Sequence, residues 1–343
     1  MANKKISILI VTITSLIIVT ELMLRTVLLI FGYPLLCPAN YLRKRYYPFV
    51  EGMLSVSQEK GTRNILILGG SVVNTDWSRM DKRLDTLFQN AYPGVKKFNF
   101  FNVAMPGHNS LDNLIKYKLL KNQKFDLVIF YEAINETRAN NVPTEQFHED
   151  YSHIKWYDEL NLLIAHPELN VTVIPYVIHL VSKTVWDKIT NREYISNDAV
   201  KAEYAVLGKE IKTAKSYYRN VTAIANYSHQ KKDPLLLVKY AYFFPDSAEL
   251  TGESADEKYF TPCHVVSPVT TWGKPMNVKN GIEIHNNLLE RISHEQSTYF
   301  FDMSKELPKD STMFCDVCHL SEQGAQMFSS KLSSYIISNA LIK

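Results

Sequence analysis

The chain has 343 residues, enough for one large α/β domain with additions, because single cores stop growing near about 250 to 300 residues. A 46% hydrophobic fraction with only 12 Gly and 14 Pro excludes a low-complexity or largely disordered protein. The net charge of +3, with Lys and Arg scattered among acids, forms no basic stripe and argues against a nucleic-acid partner.

Ile6 to Thr20 (ISILIVTITSLIIVT) is uncharged, and the apolar pattern resumes after Glu21 and Arg25 as far as Leu36. A bilayer core takes roughly 20 helical residues, so a span from about Lys5 to Leu24 is expected, with Glu21 near one interface and paired to Arg25. Residues 1–36 read as a membrane anchor and 37–62 as a linker. A cleaved signal peptide is the competing reading, but it needs a shorter apolar core and a small-x-small site, which the sequence lacks. Lys4 and Lys5 precede the span while Arg43, Lys44 and Arg45 follow it, so the charge rule points both ways. The favoured arrangement is a single-pass protein with a short cytoplasmic N-terminus and an exported domain, the basic trio resting on lipid headgroups. Cys37, Cys263, Cys315 and Cys318 permit disulfides in that compartment, and the sequons at Asn170, Asn220 and Asn226 matter if the source glycosylates.

Residues 63–343 carry the alternation expected of a parallel sheet covered on both faces. Asn64 to Leu68 (NILIL) reads as a buried strand ending in the turn Gly69, Gly70, Ser71. Leu84, Leu87, Phe88 and Tyr92 fall at helical spacing, Phe98 to Val103 form a second strand, and Met105, Pro106 and Gly107 a turn. Ser110 is expected to cap a helix with Leu111, Leu114, Ile115 and Leu119 on one face, before the strand Asp126 to Tyr131 (DLVIFY). From about Thr144 to Asp233 the pattern is aromatic and mainly helical, an insertion in the sheet of unread role. Leu235 to Phe244 resembles a further strand, and Ile282, His285, Leu289 and Ile292 mark a helix. Tyr299 to Met303 closes the sheet. A last helix begins after His319, with Ala325, Phe328, Leu332, Tyr335 and Ile336 on one side.

Serine becomes a nucleophile only when a base takes its proton and preformed donors receive the oxyanion. Ser71 stands at the mouth of the first strand after two glycines, where the bland reading is an ordinary capping serine. In Asp316-Val317-Cys318-His319 the three-residue spacing allows a carboxylate to orient an imidazole, although such a pair also occurs on surface loops. Gly107 and Asn135 follow the second and third strands, so their loops converge with that of Ser71 at the carboxyl edge of a parallel sheet. Gly107 could offer a backbone N–H there and Asn135 its side-chain amide.

These residues resemble the SGNH (GDSL-like) hydrolase family, whose four blocks carry Ser, Gly, Asn and His in that order. The resemblance covers roughly Asn64 to Asn135 and Met303 to Phe328, with Ser71 in ILGGS, Gly107, Asn135 in YEAINE, and Asp316 with His319 in DVCHLSEQG. It implies a three-layer α/β/α sandwich and a serine ester hydrolase working through an acyl-enzyme. It also implies Ser71, Asp316 and His319 as the triad, and an oxyanion hole from Ser71, Gly107 and Asn135. Two positions depart from the pattern: Gly70 stands where the family usually has Asp, and Ala133 where it usually has Gly. The first is expected to loosen the nucleophile turn, the second to narrow the groove. A lipid acyl ester or an O-acetylated carbohydrate is the expected substrate, with acyl transfer to a surface polysaccharide, or a binding protein with a degenerate site, as alternatives.

Cys315 to His319 is also C-x-x-C-H, the spacing of a c-type haem attachment, a reading that would take His319 away from Ser71. The motif occurs once, before an amphipathic helix, with no small haem domain around it, so no haem is expected. The two cysteines read as packing or a local disulfide. The other histidines show no zinc-ligand spacing, and no cofactor or metal is expected. His108 reads as a loop histidine in a wet cleft, and Trp156, Tyr157, Trp186, Tyr217 and Tyr218 as core more than as an acyl or sugar site.

Overall fold

The structure is a computed structural model describing residues 2–33, 38–54, 59–196, 200–246 and 248–342, so Leu36 and Cys37 lie outside the described residues. Along the chain the helices are α1 (Ala2–Ile30), α2 (Pro38–Tyr46), α3 (Met80–Ala91), α4 (Ser110–Leu119), α5 (Ile134–Arg138), α6 (Lys155–Ile164), α7 (Ile174–Ile189), α8 (Ala214–Lys231), α9 (Pro275–Glu295), α10 (Met303–Glu306) and α11 (Glu322–Ser338). The strands are β1 (Thr62–Gly69), β2 (Lys97–Asn102), β3 (Leu127–Tyr131), β4 (Leu235–Val238) and β5 (Tyr299–Phe301). Two compact units result, one of Met1–Glu51 with Ser152–Tyr194, the other of Gly52–Tyr151 with Ile195–Lys343. The helical stretch read as one insertion is therefore divided: α6 and α7 belong with α1, α8 with the sheet.

The sheet of the second unit is parallel throughout, in the order β2-β1-β3-β4-β5. Ile65 to Leu68 and all of β3 are buried, as strands covered on both faces must be. The chain steps outward from β1 to β2, then back across β1 to β3. Right-handed crossovers therefore place α3 on one face and α4, α8 and α9 on the other. The packing agrees, since α3 lies on α11, while α8 touches both α4 and α9. This is the three-layer α/β/α arrangement, and its strand order changes direction between β1 and β3, where open α/β sheets form their clefts.

Local details correct some expectations. Asn109, not Ser110, caps α4, its side chain accepting from the N–H groups of Leu111 and Asp112. Ser110 lies inside the first turn and its N–H donates to Glu136 Oε1 at 2.5 Å. The buried face of α4 holds Asp112, Asn113, Lys116 and Tyr117 besides Leu114 and Ile115, so it is a polar seam and not an apolar stripe. Asn220 is buried and donates to Ser110 Oγ at 3.0 Å, which removes it as a glycan acceptor in the folded chain, whereas Asn226 is exposed.

In the first unit, Lys4–Ile30 is long and apolar enough to cross a membrane. Glu21 and Arg25 pair at 2.7 Å, as the spacing implies. Glu21 also accepts from Thr172 Oγ1 at 2.7 Å and from the N–H of Val173 at 2.9 Å, so the anchor helix caps the start of α7. After α1, Arg45 stacks over Tyr33 at 4.7 Å and lies 5.9 Å from Tyr46, the mix of ring and cation found at membrane–water interfaces.

Candidate active site

The end of β1 and the turn after it are tightly filled. A Cβ at Gly69 would meet Val73 Cγ2 at 2.4 Å and Tyr131 O at 2.7 Å, and one at Gly70 would meet Glu132 Oε2 at 2.3 Å and Asn135 Nδ2 at 2.5 Å. Ser71 follows as the first residue of a short 3-10 turn. From the far end of the chain, the loop between α10 and α11 brings His319, whose Nε2 lies 2.7 Å from Ser71 Oγ. His319 Nδ1 lies 2.6 Å from Asp316 Oδ2. The residues are separated by 248 positions, so the contact is made by the fold alone.

Asp316 is almost wholly buried and fully engaged. Its Oδ1 accepts from the N–H of Cys318 at 2.9 Å and of His319 at 2.8 Å, and Oδ2 from the N–H of Ser267 at 2.7 Å. Burial pushes its carboxyl up, but the interaction with His319 and these hydrogen bonds outweigh burial and hold it below the ordinary Asp range. A buried acid kept ionised can fix the imidazole tautomer that leaves Nε2 free to take the Ser71 proton. Two indoles flank the imidazole, Trp77 with ring centres 4.2 Å away and Trp272 at 6.1 Å. A cavity of about 430 Å³ opens beside it, lined by Trp77, Arg79, Thr261, His264 and His319 among others.

Gly107 has φ +76, the left-handed turn that glycine adopts without strain. Asn135 is brought beside Gly70, but its amide is occupied. Nδ2 donates to His108 O at 3.0 Å and to Glu132 Oε2 at 3.1 Å, while Oδ1 accepts from Trp272 Nε1 at 3.0 Å. An amide nitrogen has two hydrogens, so both are engaged in this state.

Glu132, Trp77, Trp272 and Ser267 were missed in the sequence. Glu132 Oε1 also accepts the Asn135 N–H at 2.8 Å, so one carboxyl grips Asn135 twice while filling the space beside the bare Gly70. The turn at Gly70 is therefore filled by Glu132, just after β3, where the sequence led to the expectation of a loosened turn. Burial pushes Glu132 up to about 8, its hydrogen bonds from Asn135 pull it down, and Glu136 raises it again. Behind it, the buried Lys116 donates to Val103 O at 2.7 Å and reaches Gly69 O at 3.4 Å, tying the ends of β1 and β2 together. Burial pushes this ammonium down to about 7 against the pull of Asp112 and Glu132. Ala133 is fully buried and lines no groove. His108 is buried too, not in a wet cleft, and burial pushes its imidazole down to about 4.

The haem alternative fails on geometry: Cys315 is bonded to Cys263, and both His319 nitrogens are engaged. The disulfide is therefore not local to the motif, and Cys318 is a free, buried thiol. Asp316, Cys318 and His319 place potential ligand atoms within 4.8 Å of one another, but they do not fit a metal. Burial and the Asp316 charge push the Cys318 thiol well up, so it keeps its proton, and Nδ1 and Oδ2 face each other, not a common point.

No protein-family profile and no curated protein matches this chain. Solved structures that resemble it include a lipase/acylhydrolase from Enterococcus faecalis, at 12% identity and TM-score 0.42 over 81% of this chain and 96% of that one. A GDSL-like lipase from Bacteroides thetaiotaomicron gives 12% and 0.43 over 88% and 99%. An acetylxylan esterase from Geobacillus stearothermophilus gives 12% and 0.42 over 80% and 94%. The order of the parallel strands, with Ser71, Gly107, Asn135 and the Asp316–His319 loop following β1, β2, β3 and β5, is the three-layer α/β/α arrangement expected from the sequence.

Proposed function

We propose that this chain is a membrane-anchored serine hydrolase that cleaves a carboxylic ester through an acyl-enzyme on Ser71. The observation that carries the reading is the continuous relay from Ser71 Oγ to His319 Nε2 and from His319 Nδ1 to Asp316, at 2.7 and 2.6 Å. Ser71 Oγ attacks the ester carbonyl as its proton passes to Nε2. The tetrahedral oxyanion collapses, the C–O bond to the alcohol breaks, and the alcohol leaves with that proton. Water then repeats the sequence on the acyl-enzyme and frees the acid.

The N–H groups of Ser71 and Gly107 and the amide of Asn135 receive the oxyanion. Asn135 does so by sharing a hydrogen now held by the carbonyl of His108, because a charged acceptor outcompetes a neutral one. The cavity beside His319 takes the alcohol side of the ester, and a lipid acyl ester or an O-acetylated carbohydrate is the substrate class. The Cys263–Cys315 disulfide favours an oxidising compartment and so an exported domain held by α1. A panel of nitrophenyl esters of increasing chain length, with and without a sugar acceptor, tests the reading. Release of nitrophenol by the wild type and none by Ser71→Ala supports it, and equal release by both contradicts it.

A further inference from the structure

Helix α7 is turned inside out. Ile178, Val181, Val185 and Ile189 recur at three- and four-residue spacing, so they form one face, and with Trp186 beside them they are between 51% and 69% exposed. Lys183 and Asp187 lie on the other side, and Lys188 is exposed at the edge of the apolar face. Lys183 Nζ contacts Asp158 of α6 at 3.0 Å, Asp187 at 3.1 Å and Tyr194 OH at 2.8 Å, and Tyr194 OH donates to Asp187 Oδ2 at 2.6 Å. Tyr176 is buried on the same side against His166. A helix in water shows the opposite pattern, since a contiguous apolar face left in solvent forgoes its burial energy and invites association.

We propose that α7 lies along the surface of the bilayer crossed by α1, with Ile178, Val181, Val185, Trp186 and Ile189 in the lipid. The occupant follows from three observations within one compact unit. The most apolar 18-residue window of α1 has no buried residue, so an apolar phase would cover it. Glu21, toward the C-terminal end of Lys4–Ile30, caps α7 through Val173 N–H and Thr172 Oγ1, which starts α7 beside the outer part of the span. At 16 residues α7 is about 24 Å long, too short to cross and suited to lying flat, with a tryptophan where interfacial helices carry one. The inference rests on α1 as a membrane span but not on the chemistry at Ser71.

The test uses the full chain in phosphatidylcholine vesicles whose acyl chains carry bromine, a contact quencher of indole. The Trp186 signal is taken as wild type minus Trp186→Phe, a substitution at an exposed site. Brominated lipid should lower this signal at least about twofold, and the pair Val181→Asp with Val185→Asp should restore most of it. Vesicle flotation reports on α1 separately, so a protein that floats with Trp186 unquenched overturns the α7 assignment alone, while one that does not float overturns the anchor as well. Unquenched Trp186 in a protein that doubles its mass in detergent assigns the face to a second copy and also overturns the proposal. Quenching unchanged in the double Asp variant would do the same.

Discussion

The two units bury their polar groups to opposite ends. In the sheet unit, Asp316, Glu132, Lys116 and Asn135 are withdrawn from water and given partners around one serine, and apolar side chains fill the rest of the core. In the other unit, the ion pairs of Asp158, Lys183 and Asp187 are turned inward while one apolar face of α7 is turned outward. The first arrangement spends burial on fixing groups that water would otherwise solvate and blur. The second fits the proposed bilayer outside α7. The difference teaches that exposure has to be judged against the solvent each unit meets.

The strongest break of the sheet unit's design is loss of the proton acceptor. His319→Ala or Ser71→Ala should lower ester turnover by roughly 10⁵-fold or more in a domain that stays folded, measured by initial rates and near-ultraviolet circular dichroism. Breaking the Cys263–Cys315 bond by replacing both with Ser separates stability from chemistry. The bond closes a 52-residue separation, so its loss should reduce unfolding free energy by about 4 kcal/mol in urea titration while leaving a measurable esterase rate. Asn135→Ala should slow the chemical step by roughly 100- to 1000-fold with little change in KM, the usual cost of one oxyanion donor.

A pH dependence sharpens the account of Glu132. Its carboxyl is held neutral by burial, with a folded value near 8 against an ordinary 4.5, so its contribution to stability is complete below pH 4.5 and is lost as pH rises through 8. Glu132→Gln cannot ionise. The stability of the wild type relative to this variant should therefore fall between pH 5 and pH 9, at most by about 1.4 kcal/mol for each pH unit between those two values. Parallel pH curves for the two proteins would show that Glu132 does not titrate in the fold.

Much of the site was legible because it follows strand ends, and strands declare themselves by short apolar runs such as NILIL and DLVIFY. Once β1, β2 and β3 are placed in a parallel sheet, Ser71, Gly107 and Asn135 must share its carboxyl edge. What escaped is what tertiary contact alone decides. Cysteine spacing does not tell which thiol meets Cys315, and the partner is 52 residues away. Glu132 reads as a strand-end acid until the turn at Gly70 closes over it. Ser110 and Asn109 are both good caps, and Glu136 decides between them by taking the Ser110 N–H. The division of 152–194 from 195–233 carries no signal in composition, since both stretches are rich in aromatic residues.

The central claim is that Ser71 is made nucleophilic by His319. The most direct measurement is labelling of the intact protein with a fluorophosphonate probe, with the modified peptide located by mass spectrometry. The adduct is expected on the peptide containing Ser71, with labelling absent in Ser71→Ala and reduced at least about 1000-fold in His319→Ala. Labelling at another residue, or at an undiminished rate without the imidazole, would contradict the account.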